Sequence, residues 1–292
     1  MLLGCLLDAG LRLEDLEADL ARLAVGGYRL EARRTTRQGL TGTHLKVHLE
    51  GSEDRPARTI SAIEAIIGES HLPQQVRSRS LAVFRRIARA EAAIHGARVE
   101  EIHFHEIGAV DSLVDVVGFA SALERMGIER VYSSPLTLGG GTIHTEHGRL
   151  PAPAPATLAL LAEVGAPTVP SPAATELVTP TGAALLSEFA TFQRPGMNVE
   201  AVGYGFGTKT LDWPNALRVW LGQTLPASRS SPLGSPDASD SVVELTSNLD
   251  DATGETLSYV MERLLAAGAL DVWFTPIQMK KNRPAIQVSV LA

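Results

Sequence analysis

The chain has 292 residues, 45% of them hydrophobic, and a formal net charge of −7 at pH 7. This composition predicts a globular protein, and the acidic balance without a long basic stretch excludes a nucleic-acid-binding surface. The one cysteine, Cys5, excludes an intrachain disulfide framework and indicates a cytoplasmic protein in which Cys5 is a small buried residue. No apolar run reaches transmembrane length, so no membrane partner is expected.

Hydrophobic periodicity predicts a first part of mixed α and β structure. Residues 13–23 carry leucine at helical spacing, and residues 43–50 alternate between apolar and polar side chains in a strand pattern. A helix is predicted from about Pro73, which suits a first turn, to His95, which precedes Gly96. Residues 109–126 predict another helix, and residues 130–133 predict a strand.

Potential metal ligands cluster around the start of the 109–126 helix. On an extended segment His103 and His105 project from one face, and in a helix Asp111 and Asp115 share a face. Imidazole and carboxylate donors without thiolate suit nickel, zinc, iron or manganese. The sequence therefore predicts a metal site with ligands from this segment and from a second segment rich in His and Glu. The predicted ligands are His103, His105, Glu106, Asp111, Asp115, His144, Glu146 and His147.

Each of these residues also has a simpler interpretation. A single histidine is more often a structural hydrogen-bonding residue, Asp111 in a first turn suits the helix dipole, and Asp115 suits a solvated helix face. The clustering of two such segments favours the metal site over these alternatives.

Three other segments have weaker anion-binding patterns. The glycines at 139–141 let a backbone approach an anion, but no Lys-Ser/Thr follows to complete a phosphate loop. A helix that opens at 179–183 could bind an anion at its free amides, although capping by Thr179 ahead of Pro180 is the favoured interpretation. The glycine spacing at 203–209 favours a glycine-rich turn between strands over a nucleotide loop.

A change of composition divides the chain. Residues 226–241 are dominated by Ser, Pro, Asp and Ala, which predicts a flexible linker between one domain at 1–225 and another at 242–292. The second domain is predicted as a strand (242–246), a helix (254–267) and two strands (272–278 and 286–291). A β-α-β-β piece of this size cannot cover both sides of its own sheet, so the domain is expected to be partial.

The second domain carries a candidate site for a metal nucleotide. Acidic and amide side chains lie where the first strand gives way to the helix, and basic side chains lie between the last two strands. Carboxylate oxygens suit magnesium or manganese, while the basic groups would neutralise phosphates. The residues are Asn248, Asp250, Asp251, Glu255, Lys280, Lys281 and Arg283. A helix cap beside a solvated basic turn is the alternative interpretation.

Several of these segments resemble the LarC-type nickel-insertion proteins. They are HFHEIGAVDSLVD at 103–115, SPLTLGGG at 134–141, HTEHG at 144–148, TPTG at 179–182 and MKKNRP at 279–284. The resemblance covers almost the whole chain and implies further sequence before Met1 and after Ala292. It implies an α+β fold class, in which a mixed α/β N-terminal domain is followed by a partial ferredoxin-like α+β domain.

The resemblance also implies an activity. Members of this family are CTP-dependent nickel chelatases, metal-inserting lyases that put nickel into pyridinium-3,5-bisthiocarboxylic acid mononucleotide and so form the nickel-pincer nucleotide cofactor of lactate racemase. By resemblance, the first domain handles nickel and this substrate, and the second binds CTP with manganese or magnesium. A recipient enzyme of the lactate racemase type and further copies of the chain are the other implied partners.

The predicted ligands agree with a transfer of nickel. Imidazole and carboxylate donors can surrender nickel to the softer sulfur ligands of the acceptor. In the resembling family a nickel–carbon bond also forms, which requires loss of a ring proton, and Glu106 or His105 is the predicted catalytic acceptor of that proton. The alternative functions are a metal-dependent phosphoester hydrolase and a nickel storage or delivery protein with no catalytic step.

Overall fold

The computed structural model describes residues 1–50, 58–104, 110–145, 148–225 and 243–292, without the side chains of His103 and Lys281. The chain divides into two compact units, Met1–Ala227 and Ser228–Ala292. The predicted linker at 226–241 lies outside the described residues. Within the described ranges, none of the helices combines the length and the apolar character needed to cross a membrane.

Helices and strands alternate along the first unit. Its described helices are α1 (Leu2–Asp8), α2 (Leu13–Leu20), α3 (Ile60–Gly68), α4 (Gln74–His95), α5 (Val110–Arg125), α6 (Pro155–Glu163) and α7 (Pro180–Phe189). Its described strands are β1 (Tyr28–Arg37), β2 (Leu40–Leu49), β3 (Arg58–Thr59), β4 (His103–Phe104), β5 (Val131–Tyr132), β6 (Leu136–Leu138), β7 (Thr142–Thr145), β8 (Gly148–Pro151), β9 (Thr168–Pro170), β10 (Ala190–Thr191), β11 (Met197–Phe206) and β12 (Ala216–Thr224). The helices predicted at 73–95 and 109–126 are confirmed as α4 and α5.

The largest described sheet of this unit has the strand order β1-β2-β11-β12. β1 and β2 form an antiparallel hairpin with Arg37 opposite Leu40, and β11 runs parallel to β2. The hairpin turns at Gln38 and Gly39, whose φ angles of 49° and 81° suit a type I′ turn. The predicted strand at 43–50 is confirmed as β2, whereas the periodicity does not predict β1.

Glycines allow α1 to pack directly on β11. A Cβ atom at Gly203 would lie 2.1 Å from the carbonyl oxygen of Cys5, and one at Gly205 would lie 2.1 Å from the carbonyl oxygen of Met1. Only a residue without a side chain fits at such distances. The prediction of a turn at 203–209 is therefore wrong for residues 203–206, which belong to β11 and whose glycines serve close packing of helix and strand, and it holds for residues 207–209, which lie between β11 and β12.

Two polar side chains of α1 are buried against the same sheet. Asp8 Oδ1 accepts a hydrogen bond from the Thr43 hydroxyl at 3.0 Å, and its Oδ2 accepts one from the Tyr204 backbone N–H at 2.9 Å. The Cys5 thiol donates to the carbonyl oxygen of Leu217 at 3.0 Å. Burial raises the pKa of Cys5 to about 12, and this confirms the prediction that Cys5 is a small buried residue.

α5 is the central helix of the first unit and contacts α1, α2, α4, α7 and β2. Its last turn is fixed to α2, because Arg125 donates to both carboxylate oxygens of the buried Asp19 at 2.7 Å. A second ion-pair network joins the neighbouring helices α4, α6 and α7. In it, Arg86 lies 2.9 Å from Glu188 and 2.6 Å from Glu163.

Structural roles account for the other two segments with anion-binding patterns. A Cβ atom at Gly139 would lie 1.9 Å from the carbonyl oxygen of Thr175, so the triglycine segment packs against the backbone at 173–175. The Thr179 hydroxyl accepts a hydrogen bond from the backbone N–H of Gly182 at 3.2 Å, and Pro180 is the first residue of α7. The interpretation of Thr179 as a helix cap is confirmed.

The second unit is a helix against a three-stranded antiparallel sheet. Its elements are β13 (Glu244–Leu249), α8 (Gly254–Ala266), β14 (Asp271–Met279) and β15 (Arg283–Leu291), with β15 between the other two strands. Val272, Val288 and Val290 form a small core against one face of α8. The predicted order of strand, helix and two strands is confirmed, and its assignment to the ferredoxin-like class stays a prediction.

Candidate metal-binding region

The first predicted ligand segment leads into the central helix. β4 pairs with β3, so that His103 lies opposite Thr59 and the buried Phe104 lies opposite Arg58. Other predicted ligands lie outside the described residues, namely the His103 side chain, His105, Glu106, Glu146 and His147. The side chains of Asp111, Asp115 and His144 are described and can be judged directly.

Asp111 and Asp115 form a solvent-exposed patch on α5, which we call the α5 window, although most other residues of this helix are buried. Of the 16 residues of α5, 12 are buried, whereas both aspartates are exposed in the first half of the helix. Four-residue spacing puts the two carboxylates on the same side of the helix. The backbone N–H of Ser112 donates to Asp111 Oδ1 at 2.8 Å and holds that side chain at the helix start.

The surroundings of Asp115 disfavour its charged form. Desolvation by the surrounding protein raises the pKa of Asp115, the positive Met1 amino group lowers it, and the negative charge of Asp111 raises it again. Asp115 is an exposed residue, yet protein atoms around its carboxylate restrict the solvation of the charged form. A divalent cation bound there would relieve the repulsion between the two aspartates.

The third predicted ligand with a described side chain lies on a separate hairpin. His144 is an exposed residue of β7, opposite Arg149 on β8. Within the described residues, no three histidine, cysteine, aspartate or glutamate side chains form a group that could hold a metal ion. Asp111, Asp115 and His144 therefore do not make a complete site by themselves, and the larger predicted ligand set stays a prediction.

In the second unit, the predicted nucleotide-binding residues lie at one end of the sheet. β13 and β14 end there and β15 begins there. Asp250 Oδ2 lies 3.6 Å from Nη1 of Arg283, and Glu255 lies in the first turn of α8. The cap of α8 is Thr253, which accepts a hydrogen bond from the backbone N–H of Thr256.

The other predicted members differ in their contacts. Asn248 accepts a cross-strand hydrogen bond from Gln287 at 3.3 Å. Asp251 and Lys280 are exposed, and the Lys281 side chain is outside the description. Opposite charges therefore meet at this end of the sheet, while the role of each residue toward a nucleotide stays a prediction.

A further group of polar residues lies on the β1–β2 hairpin. Its register places alternate residues of β1 and β2 on one outer face, which we call the basic face. The basic face comprises Arg29, Glu31, Arg33, Arg37, His44, Lys46 and His48. It includes a pocket of about 240 Å³ lined by Glu31, Arg33, His44, Lys46 and His48.

The basic face could not be recognised from residues 43–50 alone. Their alternation predicts that His44, Lys46 and His48 share a face, but it does not identify the partners of these residues on β1. Pairing of β1 with β2 adds the arginines and the single carboxylate, Glu31. The signal that could have revealed it is the matching alternation of charged residues at 29–33.

Comparisons with known proteins agree over the whole chain. The family model described as nickel insertion protein matches residues 1–292. A protein of Roseiflexus castenholzii is 50% identical over 293 residues, which cover 100% of this chain and 72% of that protein. The pyridinium-3,5-bisthiocarboxylic acid mononucleotide nickel insertion protein of Desulfitobacterium hafniense is 45% identical over 295 residues, covering 99% of this chain and 71% of that protein.

A solved structure matches a smaller part. It is LarC2, the C-terminal domain of a cyclometallase involved in the synthesis of the NPN cofactor of lactate racemase, in its apo form. The match is 63% identical and covers 18% of this chain and 35% of that chain, with a TM-score of 0.17, too low for a comparison of the folds. Because the family model and the relatives both extend over the full sequence, the chain belongs to the nickel insertion protein family.

Proposed function

We propose that the protein inserts nickel into pyridinium-3,5-bisthiocarboxylic acid mononucleotide in a CTP-dependent reaction, and so acts as a nickel chelatase in the formation of the nickel-pincer cofactor of lactate racemase. The observation that carries the proposal is the 45% identity, over 99% of the chain, to the Desulfitobacterium hafniense protein named for this insertion. Nickel is a substrate in this reaction, which the protein must first hold and then release.

The window on α5 supports nickel binding in the first unit. Asp111 and Asp115 offer carboxylate oxygens that solvent reaches, on a helix whose other side chains are mostly buried. Such a helix holds its ligands in fixed positions, which favours a defined metal geometry. The remaining ligands would come from the His and Glu residues proposed at 103–106 and 144–147.

The donor types favour release of nickel to the acceptor. Carboxylate oxygen and imidazole nitrogen are harder ligands than sulfur, so transfer of nickel from them to two thiocarboxylate sulfurs is favourable. The protein's one cysteine does not compete for the metal, because Cys5 is 1% exposed and its pKa is about 12. Glu106 or His105 would take the ring proton that is lost when the nickel–carbon bond forms.

We place CTP with manganese or magnesium at the end of the second unit's sheet where Asp250, Glu255 and Arg283 lie. Carboxylate oxygens of Asp250 and Glu255 would face the metal, and Arg283 would face the phosphates. The 3.6 Å separation of Asp250 and Arg283 supports this arrangement, because a metal and a phosphate that bind each other need adjacent acidic and basic groups.

The nickel site is tested by Asp111→Asn and Asp115→Asn in the intact chain. Each variant should lower nickel affinity at least tenfold, measured by calorimetry and by metal content after gel filtration. The matched control is Glu124→Gln, which removes a carboxylate from the exposed far end of the same helix.

Asp115→Asn should also raise the free energy of unfolding of the metal-free protein, because its folded state no longer holds a poorly solvated carboxylate beside Asp111. Unchanged nickel affinity in both variants would remove these aspartates from the site.

The reaction itself is tested by incubating the protein with nickel, metal-CTP and the dithiocarboxylated mononucleotide, followed by a mass search for the nickel adduct. Adduct formation that requires CTP supports the whole proposal. Nickel binding without any adduct would instead indicate storage or delivery. Hydrolysis of phosphoesters in the absence of the pyridinium substrate would indicate a metal-dependent hydrolase.

The nucleotide site has its own matched pair of variants. Arg283→Gln should weaken binding of manganese-CTP, while Arg263→Gln, which removes an exposed arginine from the last turn of α8, should leave it unchanged. Calorimetric titration of both variants with manganese-CTP checks this. Equal affinities in the two variants would exclude Arg283 from the CTP site.

A further inference from the structure

The basic face of the β1–β2 hairpin has a charge opposite to that of the chain as a whole. The protein has a net charge of −7, yet this face presents four Arg and Lys residues and one carboxylate, Glu31. Glu31 already has partners, because His48 Nε2 lies 2.6 Å from its Oε2 and Arg33 donates to its Oε1. A concentrated positive surface on an acidic protein attracts anions selectively.

Two cations of this face have no acidic partner among the residues that the structure describes. Within the described residues, neither Arg29 nor Lys46 forms an ion pair, although the register puts Lys46 directly opposite Glu31. Both side chains are exposed, so an anion can reach them from solvent. Arg37 is directed instead to backbone carbonyl oxygens and donates to that of Gly207 at 2.7 Å.

The pocket limits the size of the anion. Its volume of about 240 Å³ is slightly below the range of pockets that enclose whole drug-sized ligands, so it suits one charged group of a larger molecule. Arg33 and Lys46 provide charged donors, and His44 and His48 provide ring nitrogens. A guanidinium and an ammonium together suit the tetrahedral oxygens of a phosphate group.

The electrostatics of His44 reflect the positive charge of the basic face. Burial and the positive charges of Arg37, the Met1 amino group, Lys46 and Arg33 lower the pKa of His44. A bound anion would act in the opposite direction and raise it. The titration of His44 therefore reports whether the pocket is filled.

We propose that the basic face binds the phosphate group of a pyridinium mononucleotide, with Lys46 and Arg33 as its charged donors. The identity of the nucleotide rests on the proposed function, which makes such a molecule the acceptor of nickel. An extended nucleic acid is not favoured, because the net charge of −7 repels a polyanion and the charged donors of the pocket, Arg33 and Lys46, lie on one hairpin.

The test compares two probes that differ only in the phosphate, nicotinamide mononucleotide and nicotinamide riboside. Calorimetry on the intact chain, without nickel or CTP, should give an affinity at least tenfold higher for the mononucleotide. Histidine NMR should show that the mononucleotide, and not the riboside, raises the pKa of His44. Equal affinities for the two probes would overturn the proposal.

Variants then assign the donor. Lys46→Gln should weaken mononucleotide binding on the order of tenfold, and Lys46→Arg should retain it. Glu31→Gln should strengthen binding, because Arg33 and His48 lose their competing carboxylate. The control is Arg130→Gln, because Arg130 is an exposed arginine that does not belong to the hairpin. Retained circular dichroism spectra establish that each variant is folded, and unchanged affinity in Lys46→Gln would overturn the proposal.

Other outcomes separate this proposal from the proposed function. Equal affinities for inorganic phosphate and the mononucleotide would identify a site for free phosphate and overturn the nucleotide assignment. Tighter binding of a single-stranded oligonucleotide, lost in Lys46→Gln, would also overturn it. If the mononucleotide binds as expected but no nickel adduct forms, the phosphate site stands and the insertion reaction fails.

Discussion

Replacement of Gly203 by alanine tests whether the glycines of β11 serve packing or ligand binding. The new Cβ atom would lie 2.1 Å from the carbonyl oxygen of Cys5 and 2.9 Å from the Cβ atom of Ala9. Cys5 lies in α1 and Ala9 directly follows it, and neither the carbonyl oxygen nor the Cβ atom can be moved by a side-chain rotation. α1 must move away from the sheet by about 1 Å to reach an ordinary contact distance.

The cost follows from the residues that this movement loosens. α1 buries Leu3 and Leu6, and burial of each leucine contributes roughly 1.5–3 kcal/mol. A gap of about 1 Å forfeits a quarter to a half of the van der Waals attraction at the contact. The expected loss is about 1–3 kcal/mol, which agrees with the usual cost of overpacking. In a unit of this size, about 2 kcal/mol lowers the melting temperature by roughly 4–8 °C.

Urea denaturation followed by circular dichroism measures this loss, with Gly26→Ala as the matched control. A Cβ atom at Gly26 meets nothing within 4 Å, so this control should leave stability nearly unchanged. Normal stability in Gly203→Ala, together with reduced nucleotide affinity, would refute the packing role and favour a nucleotide loop, the alternative that the glycine spacing also offers.

Three further predictions concern single side chains. At pH 8 a thiol reagent should modify Cys5 about a thousandfold more slowly in the native protein than in denaturant, because its pKa rises from 9.0 to about 12; similar rates would contradict burial of the thiol. Because the pKa of His44 is lowered in the folded state, the unfolded chain binds a proton more readily as pH falls below 6.5, and the free energy of unfolding should decrease there. His44→Gln should therefore reduce the slope of the urea midpoint against pH, and an unchanged slope would contradict the lowered pKa. Arg125→Met leaves the buried Asp19 with Arg22, at 3.7 Å, as its one ion-pair partner among the described residues, and should cost about 2 kcal/mol in denaturant unfolding. The double variant with Asp19→Asn should recover part of that loss, and a full additive loss would contradict the pairing.

The ends of a helix could be predicted from the sequence where residues next to each end favour its termination or its start. α4 ends at His95, and Gly96 adopts the left-handed conformation that closes it. The helix that became α5 was found within a residue at each end, because its apolar positions repeat over many turns. Such features depend on neighbours in the chain and can be recognised without knowledge of the fold.

Long-range contacts explain what the sequence could not reveal. β1 has charged residues on its outer face and its turn, Gln38-Gly39, lacks the Asn or Asp that marks most type I′ hairpins. The close contact of Gly203 with Cys5 joins residues far apart in the sequence, so the glycine spacing resembled a turn. The basic face likewise depends on the register between two strands.

The candidate metal site was only partly predictable for a similar reason. The four-residue spacing of Asp111 and Asp115 predicts a shared helix face, and α5 provides it. The crowding that raises the pKa of Asp115 comes from the tertiary surroundings of α5, which periodicity cannot reveal.

The burial of α5 determines how any occupant of its window can be detected. Amide hydrogens of a helix enclosed on nearly all sides exchange with solvent only when much of the unit opens. A ligand held by Asp111 and Asp115 would therefore slow deuterium uptake throughout the helices that surround α5, in proportion to its concentration and affinity. Mass-spectrometric deuterium uptake, measured across a panel of metal ions, could rank them as occupants without any assay of turnover.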